Sequence, residues 1–514
     1  MFMRGCITGI ICFFSYCSLA QSEEILEREI ELPKTKETTY ELLNRITGIT
    51  GFFFIYDSEI INSDKKINYP GGKHTVQQAI NRIVQDKNIK IKVINRHILL
   101  YKKETSEYVF ENQTQPVEKD STTFIIAKAV VRDAQTKEPI PFVSASIVET
   151  GTGTISNQSG EFMFKIPVSD IINNIQISHI GYHQQTIPAE LFINNTVDIY
   201  MQTKIVSLSD VIVGIVNPQK IIREMLNKIP DNYQNKPVYF TSYYREGIEK
   251  NNKIVSLSEA VFKIYKTGFE PYLNEQVKLL KMRKISNINE NDSIILKMRA
   301  GIDASLHLDI IKYIPDFLEL NDDNLFNYSK IDMAVTDSGL AHVIHFEQNP
   351  DIKEPLHKGE LYIDANNSAL LAAHFEVNPK YVDKAANVFV IKKPKGYDIK
   401  PEYASYYVFY KFWNGKYYLN HIRGDLIFKI KKKKGFFQPS KSVKTFFEMV
   451  VNKIDTTDVK KFTRKESIPV RNIFSETKFQ YNNDFWEDFN IIAPEKELNE
   501  ALGRISSKIE EEEE

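Results

Sequence analysis

Hydrophobic and polar residues alternate with a period of two along most of this chain, as expected for β-strands with one buried face. The clearest stretch runs from Phe124 to Met201, where Val143 to Ile147 and Phe162 to Ile166 both alternate. Longer alternating runs follow between about residues 236 and 490. The pattern predicts a multidomain, mainly β protein, with a small module at 124–202 and a β-rich domain at 236–490.

Helical spacing appears in an earlier segment, residues 27–103. Apolar residues at helical spacing follow Thr38-Thr39, and Gly48 is predicted to end this helix. A second amphipathic helix is predicted to begin after Thr75. Strands are predicted between and after the helices, with a tight hairpin turn at Asn95-Arg96, over Phe52–Tyr56, Lys66–Tyr69, Ile89–Ile94 and His97–Tyr101.

The order of these elements, with Thr75 to Ile80 leading into Ile98 to Leu100, resembles the STN domain. That domain is a periplasmic module of secretins and TonB-dependent receptors. The resemblance implies a small α+β domain that works by docking and often passes a signal to an inner-membrane partner. Its core is predicted to be built by Phe52, Phe54, Val76 and Ile80.

The module at 124–202 carries a second set of motifs, in which turn residues separate short alternating strands. They are Val130 to Asp133, Pro141 to Ile147, Gly153 to Phe162 and His179 to Tyr182. Together they resemble the carboxypeptidase-like regulatory domain, which implies a transthyretin-like β-sandwich without catalytic residues of its own. Four residues are predicted to fix this sandwich, namely Gly160, Phe162, Gly181 and Tyr182.

Polar segments separate these modules. Residues 104–123 are predicted to be a linker, and residues 203–235 a connector with a helix that begins at Pro218. Leu208 to Gly214 is similar to the segment that follows such a module in TonB-dependent receptors. Two interpretations of it stay open, an ordinary connecting strand and a Ton-box segment.

The β-rich domain contains Gly359 to Asp364 followed by Ala369 to Phe375, which resembles the repeating hairpin of LolA-like half-barrels. The resemblance implies a large curved antiparallel sheet with few helices, a fold that often holds a lipid chain. An inserted helix is predicted over Ser305–Ile314, ended by Pro315. Residues 491–514 are predicted to form a C-terminal segment, with a helix over Lys496 to Ile509 and an acidic tail.

The N-terminus predicts export. Arg4, a short apolar run and Ser18-Leu19-Ala20 are typical of a signal peptide over residues 1–20, with an uncleaved anchor as the alternative. All three cysteines lie inside it, so the mature chain would hold no disulfide. We expect a location in the periplasm or at the periplasmic face of the outer membrane. A net charge of −1 argues against nucleic acid as a partner.

Several histidines invite a catalytic or metal-site interpretation. His357 and Glu360 have the His-x-x-Glu spacing of zinc carboxypeptidases, with His374 and His421 available as a third ligand. No further motif accompanies them, and an alternating strand explains the spacing equally well. Two other pairs are predicted to be structural residues of strands, namely His342 with His345 and His179 with His183.

Two charged segments complete the candidates. Asp322-Asp323-Asn324 resembles part of a calcium loop but lacks its Gly and bidentate Glu, so a turn or cap is predicted. Lys429 to Lys434 is predicted to be a solvated strand at the edge of a sheet, with contact to anionic lipid headgroups as the alternative.

No catalytic, cofactor-binding or metal-binding residue is therefore predicted, and no cofactor. The sequence predicts a non-enzymatic docking, signalling or assembly protein of the bacterial cell envelope that acts through protein–protein contacts. Its expected partners are envelope proteins, either an inner-membrane regulator or an outer-membrane component. Two alternatives are a periplasmic carrier of lipid or another hydrophobic ligand, and a zinc carboxypeptidase.

Overall fold

The structure is a computed structural model. It describes residues 25–56, 61–62, 65–94, 97–102, 124–193, 195–203, 217–250, 253–286, 297–298, 301–320, 325–336, 339–392, 396–433, 440–469, 486 and 489–495. The chain divides into two compact units. Unit 1 comprises residues 1–132, 166–175 and 186–200, and unit 2 comprises residues 133–165, 176–185 and 201–514.

Short helices and many strands make up the described chain. The α-helices are α1 (Thr39–Thr50), α2 (Val76–Val84), α3 (Pro218–Asn227), α4 (Ile229–Asn232), α5 (Gly301–His307) and α6 (Ala386–Phe389). Single 3₁₀ turns occupy Val168–Asp170, Ala189–Phe192, Asp316–Leu318 and Val382–Ala385. The predicted multidomain, mainly β fold is confirmed.

The strands of the first half are β1 (Glu29–Leu32), β2 (Thr35–Thr38), β3 (Phe53–Tyr56), β4 (Lys66–Tyr69), β5 (Gly72–Thr75), β6 (Ile89–Ile94), β7 (His97–Lys102), β8 (Phe124–Asp133), β9 (Ser144–Ile147), β10 (Gly153–Ile155), β11 (Glu161–Pro167), β12 (Asn174–Ser178), β13 (Gln185–Pro188) and β14 (Thr196–Met201). Those of the second half are β15 (Val238–Lys250), β16 (Lys253–Lys266), β17 (Gln276–Ser286), β18 (Lys297–Met298), β19 (Phe326–Thr336), β20 (Gly339–Gln348), β21 (His357–Asp364), β22 (Leu370–Val377), β23 (Val390–Lys392), β24 (Tyr397–Trp413), β25 (Lys416–Lys432) and β26 (Lys441–Asp455).

In unit 1, α1 and α2 pack with short sheets around one apolar core. The sheets pair β1 with β5, β2 with β4, and β3 with β7 and β6. Both helices begin with a capping box, because Thr38 pairs with Glu41 and Thr75 with Gln78. Val76 and Ile80 are fully buried in the core, and Phe52 and Phe54 pack against it.

The first helix is longer than the sequence predicted. Gly48 was expected to end it, but the helix continues to Thr50 and ends at Gly51, whose φ is +75°. Glycine adopts that left-handed conformation at little energetic cost because it has no side chain. The helix therefore ends at the glycine that takes this conformation, and not at the first glycine in its sequence. Gly48 lies inside the helix on its exposed side.

The central module contributes to both units. In unit 1, β8 pairs with β14. In unit 2, β9 lies between β10 and β12. Gly160 takes a positive φ, as predicted for a turn position, Gly181 takes one as well, and Phe162 is buried. The Tyr182 hydroxyl donates to the Asp133 carboxylate at 3.0 Å, which closes the turn at the end of β8.

Unit 2 contains a ten-stranded antiparallel sheet in the order β17-β16-β15-β26-β25-β24-β22-β21-β20-β19. One face of this sheet is apolar, and helices α3 and α5 pack on it. Ile222 and Met225 of α3 and Ile302 of α5 are buried in the same cluster as Ile422 and Phe346 of the sheet. The prediction that α3 begins at Pro218 is correct, because Asn217 caps it and Pro218 is its first residue.

Buried ion pairs hold the segment after α5. The predicted helix Ser305–Ile314 is wrong in its bounds, since α5 covers Gly301–His307 only. Beyond it, Asp309 pairs with Lys266 at 2.8 Å, and the almost fully buried Lys312 contacts Glu275. These ion pairs hold the backbone after α5 in a non-helical conformation. The periodicity of the apolar residues does not reveal such ion pairs.

The lysine run also lies elsewhere than predicted. Lys429 to Lys432 belongs to β25, which has β24 on one side and β26 on the other, so it is not an edge strand. Its lysines are exposed while Ile430 between them is buried, as the two faces of an interior strand require.

The C-terminal helix predicted over Lys496 to Ile509 lies outside the described residues. Four other predictions lie wholly or almost wholly outside them, namely the signal peptide at 1–20, the linker at 104–123, the segment 208–214 and the acidic turn at 322–324. The predicted domain boundaries stay predictions. Within the described ranges, no helix combines the length and apolarity needed to cross a membrane.

Candidate ligand-binding cavity

A row of polar residues crosses the second face of the large sheet, one from each of its neighbouring strands. The register places Arg283, Glu259, Arg245, Glu448 and Arg423 directly opposite one another across β17, β16, β15, β26 and β25. Directly opposed residues of antiparallel strands share a face. The five charges therefore alternate in sign along one line, which we call the charged row.

Glu448 lies at the centre of the charged row and is fully buried. Its carboxylate accepts from Arg245 Nη2 at 2.7 Å and from Arg423 Nη1 at 3.2 Å. It also lies 2.8 Å from His421 Nε2. Burial alone would raise the pKa of Glu448, but the two arginines outweigh it and hold the pKa well below its usual range. Glu448 is therefore ionised at neutral pH.

The state of His421 follows from this. Burial lowers the pKa of His421, so its ring is neutral at neutral pH. A neutral imidazole carries one hydrogen, and a carboxylate only accepts, so Nε2 donates to Glu448. The other nitrogen, Nδ1, is then an acceptor. It is buried, and no described residue supplies it with a hydrogen-bond donor.

The segment 489–495 covers part of the charged row. Glu495 accepts from Arg245 Nη2 at 2.8 Å, and the Asn490 side chain accepts from the Lys165 backbone N–H at 2.6 Å. Asn157 Nδ2 donates to the Ala493 carbonyl at 3.0 Å. Ile491 and Ile492 fill a small apolar cluster here. An extended segment thus ties the β10–β11 turn of the central module to the large sheet.

Phe142 is the other cover over the charged row. Its φ is +61°, an uncommon value for a residue with a side chain, and its backbone N–H donates to the Ser156 carbonyl at 3.1 Å. The ring lies 5.0 Å from the His421 ring and 5.8 Å from the Tyr407 ring. This unfavourable backbone conformation is tolerated because it lets the ring pack against aromatic side chains of the sheet.

A cavity of about 480 Å³ opens beside Phe142, and all its lining residues belong to unit 2. One wall is polar and comes from the outward positions of β9 and β12, which are Ser144, Ser146, Gln176 and Ser178. The facing wall is aromatic and comes from the β24–β25 hairpin, with Phe409, Phe412, Trp413 and Tyr417. The volume lies in the range of ordinary small-molecule sites, which is about 300–1,000 Å³.

Three further side chains give the cavity its electrostatic character, namely Lys411, Glu149 and His421. Lys411 Nζ donates to the Gly151 carbonyl at 3.2 Å. Burial lowers the pKa of Lys411 to about 8, so the amine is still mostly protonated at pH 7. The site therefore offers an ammonium donor, a carboxylate acceptor and an imidazole acceptor.

The histidines considered from sequence are not brought together as a metal site. His357 and Glu360 are separated by three positions on β21, so their side chains leave opposite faces of the strand. His357 lies 3.5 Å from Asp316, and Glu360 accepts from Tyr362 at 2.9 Å. Among the residues that the structure describes, no three His, Cys, Asp or Glu side chains are grouped as metal ligands would be.

The remaining histidines occupy strand or turn positions. His374 stacks on Tyr407 with ring centroids 4.1 Å apart. His342 and His345 have opposite facing directions on β20, as predicted. His179 Nδ1 donates to the Ile180 carbonyl at 2.8 Å, and the side chain lines the cavity.

Sequence reasoning missed the charged row and the cavity, and it considered His421 only as a zinc ligand. Arg245, Glu448 and Arg423 lie on three different strands and are separated by up to 203 residues in the sequence. A charge at a position whose alternation predicts burial is the one signal that could have marked them. Their meeting depends on strand register, which the sequence does not state.

Comparison with known proteins supports the resemblance of the central module. Residues 128–213 match the family model of the CarboxypepD_reg-like domain. No curated protein matches the chain.

Three solved structures are similar to part of this chain at low identity. One is a putative outer membrane lipoprotein-sorting protein domain from Vibrio parahaemolyticus, 8% identical, with a TM-score of 0.21, over 48% of this chain and 95% of that one. A second is a DUF1329 family protein from Desulfovibrio piger, 9% identical, with a TM-score of 0.20, over 47% and 95%. The third is a LolA superfamily protein from Nitrosomonas europaea, 8% identical, with a TM-score of 0.16, over 48% and 98%. TM-scores this low do not establish a shared fold or a shared function.

Proposed function

We propose that this chain is a non-catalytic binding component of the bacterial cell envelope, exported to the periplasm or to the periplasmic face of the outer membrane. The observation that carries the proposal is the cavity between the β9–β12 face and the β24–β25 hairpin, with a polar wall opposite an aromatic one. Concave sites of this size with a few convergent polar groups are where proteins hold small ligands.

Two buried ionisable groups near the cavity, Glu448 and His421, favour binding over catalysis. A general acid or base works best when its pKa lies near the working pH. Glu448 is ionised and fully occupied by two arginines and a histidine, and the neutral His421 is fixed as its donor. Neither side chain is poised to exchange a proton at neutral pH, so their role here is to hold the sheet and orient one acceptor.

Docking to other envelope proteins is part of the same proposal. The family match covers residues 128–213. The regulatory domain that this module resembles is an accessory domain without catalytic residues of its own, which supports a docking role. The STN-like segment 27–103 supplies the expected contact to an inner-membrane regulator or an outer-membrane component. Deletion of residues 21–103 should abolish cross-linking to envelope partners. Ligand binding in the cavity of unit 2 should persist in the same deletion variant.

A carrier of lipid or another hydrophobic ligand is the second candidate, favoured by the aromatic wall. The apolar face of the large sheet is a less suitable container, because side chains of α3 and α5 fill it. An acyl chain there would have to displace residues such as Met225 and Ile302, which are almost fully buried. In the cavity itself, such a chain would leave the serines and Gln176 of the facing wall without partners.

Ligand binding is tested with the purified full chain and one steric variant. The Ser146→Phe substitution places a ring in the cavity, and Ser442→Phe places the same ring on an exposed strand position outside it. Ligand-observed NMR against a mixture of palmitate, glucose, N-acetylglucosamine and galacturonate should show binding to the wild type and to Ser442→Phe, and loss in Ser146→Phe. If the wild type binds none of the four probes, or if Ser146→Phe binds equally well, the cavity is not the site.

A further inference from the structure

The two walls of the cavity differ in chemistry, and this difference restricts the ligand beyond its size. Ser144 and Ser146 on β9 alternate with buried apolar residues, and so do Gln176 and Ser178 on β12. This wall is therefore a flat patch of hydroxyl and amide groups on a rigid sheet. Each of these groups both donates and accepts hydrogen bonds.

The facing wall is built from rings that present a flat apolar surface. Phe409 and Trp413 lie at alternate positions of β24, and the Phe412 ring at the rim is 62% exposed. An exposed aromatic ring beside a cavity is a surface on which the C–H face of a ligand packs favourably. A ligand that matches both walls has one flat apolar face and an opposite edge rich in hydroxyls.

The ionisable groups add two acceptors and one donor. The His421 Nδ1 atom is an acceptor without a donor among the described residues, although the side chain lines the cavity. Glu149 at the same cavity accepts as well. A buried acceptor without a donor is unfavourable, so a ligand hydroxyl that donates to it strengthens binding. Lys411 donates in return to a ligand oxygen.

We propose that the cavity binds a small saccharide, with its C–H face on the aromatic rings of the β24–β25 hairpin and its hydroxyls toward the Ser144–Ser178 wall and His421. A sugar ring combines one apolar face with several hydroxyls that donate and accept. An acyl chain lacks donors for His421 and Glu149, and a flat aromatic compound lacks groups for the serine wall. The inference rests on the proposed binding function and names its ligand class.

Trp413 provides the assay. The chain has two tryptophans, and the second, Trp486, packs against Tyr243 and Arg283 outside the cavity lining. In the full chain carrying Trp486→Phe, fluorescence therefore reports on the cavity alone. Titration with glucose, N-acetylglucosamine and galacturonate should change the Trp413 emission saturably for at least one sugar. Galacturonate is expected to bind more tightly than glucose, because its carboxylate can pair with Lys411.

Two substitutions separate the roles of the walls. Phe412→Ala removes an exposed ring and should weaken sugar binding about fivefold or more, whereas Tyr272→Ala, which removes another exposed ring that is not part of the cavity lining, should leave it unchanged. Lys411→Met keeps the length of the side chain and should weaken galacturonate binding about tenfold with little effect on glucose.

The outcomes are distinct for the two proposals. Saturable sugar binding that Ser146→Phe abolishes and Phe412→Ala weakens supports the saccharide. Binding of palmitate in place of every sugar, again lost in Ser146→Phe, overturns the saccharide and leaves the binding function standing. No binding of any probe overturns both. Isothermal titration calorimetry on the wild type checks the fluorescence result, so a poorly folded variant cannot decide the question.

Discussion

The charged row can be tested at Glu448, the residue on which its hydrogen bonds converge. Glu448→Gln keeps the shape of the side chain and removes its charge. Two arginines and His421 then surround a neutral amide in a fully buried site. Breaking a buried ion pair by removing one partner costs about 3–5 kcal/mol.

The arginines are not left entirely unpaired. Arg245 retains Glu495 at 2.8 Å, and Arg423 retains Asp425 at 2.7 Å. We therefore expect Glu448→Gln to reduce the free energy of unfolding by the lower end of the range, about 3 kcal/mol. Both tryptophans, Trp413 and Trp486, belong to unit 2. Urea unfolding followed by tryptophan fluorescence therefore reports the unit that contains the row.

Glu360→Gln is the matched control. Glu360 lies on β21 in the same sheet, is partly buried and accepts a hydrogen bond from Tyr362 at 2.9 Å. Its amide equivalent keeps an acceptor for that bond, so the cost should stay below about 1 kcal/mol. A loss under about 1 kcal/mol for Glu448→Gln, or an equal loss for Glu360→Gln, would refute the argument that the row is an energetic centre of the sheet.

Acid sensitivity has the same origin. Although burial opposes it, the pKa of Glu448 in the folded protein lies well below its unfolded value of about 4.3 because of Arg245 and Arg423. The unfolded chain thus binds a proton first as the pH falls, so this stabilisation is complete above about pH 4.3 and declines below it. Glu448→Gln should therefore show a shallower loss of stability between about pH 5 and 3 than the wild type.

Substitutions at four further positions test local arguments by unfolding experiments. Because burial lowers the pKa of Lys411 to about 8, its charge opposes folding at pH 7, so Lys411→Met should stabilise by on the order of 1 kcal/mol, a gain that fades as the pH approaches about 10. At Phe142, with φ of +61°, Phe142→Gly should be at least as stable as Phe142→Ala, reversing the usual order. A Cβ at Gly359 would lie 2.2 Å from the His374 carbonyl oxygen, so Gly359→Ala should cost about 2 kcal/mol or more. Gly48→Ala, exposed within α1 with no atom near its Cβ, should raise the thermal midpoint of unit 1 measured by circular dichroism, by an equivalent of about 1 kcal/mol.

Local features of the fold could be predicted from the sequence because their causes are local. The capping boxes at Thr38 and Thr75 and the first turn at Pro218 each depend on residues within one helical turn. The end of α1 could not be placed, because both Gly48 and Gly51 suit a helix end and only the φ of Gly51 decides.

Features that depend on register could not be predicted. The run at Lys429 has the composition of an edge guard, yet its strand lies between β24 and β26, a pairing that the composition does not reveal. The cavity likewise combines β9 and β12 with β24 and β25, which are more than 200 residues apart. The alternation showed which positions face away from the apolar core. It did not show which residues of other strands these positions would contact.

The charged row supplies the register that the alternation leaves open. A shift of β26 by one residue would turn its apolar positions to the wrong face, but a shift by two residues would preserve the alternation. That second shift would place Phe446 or Val450 opposite Arg245 instead of Glu448. It would separate the buried Arg245 from the buried Glu448, at a cost of several kcal/mol. The ion pairs therefore select one register among those that the apolar pattern permits. The same register also brings His421 and the β24–β25 hairpin into position beside the cavity, so the site's geometry depends on the row beneath it.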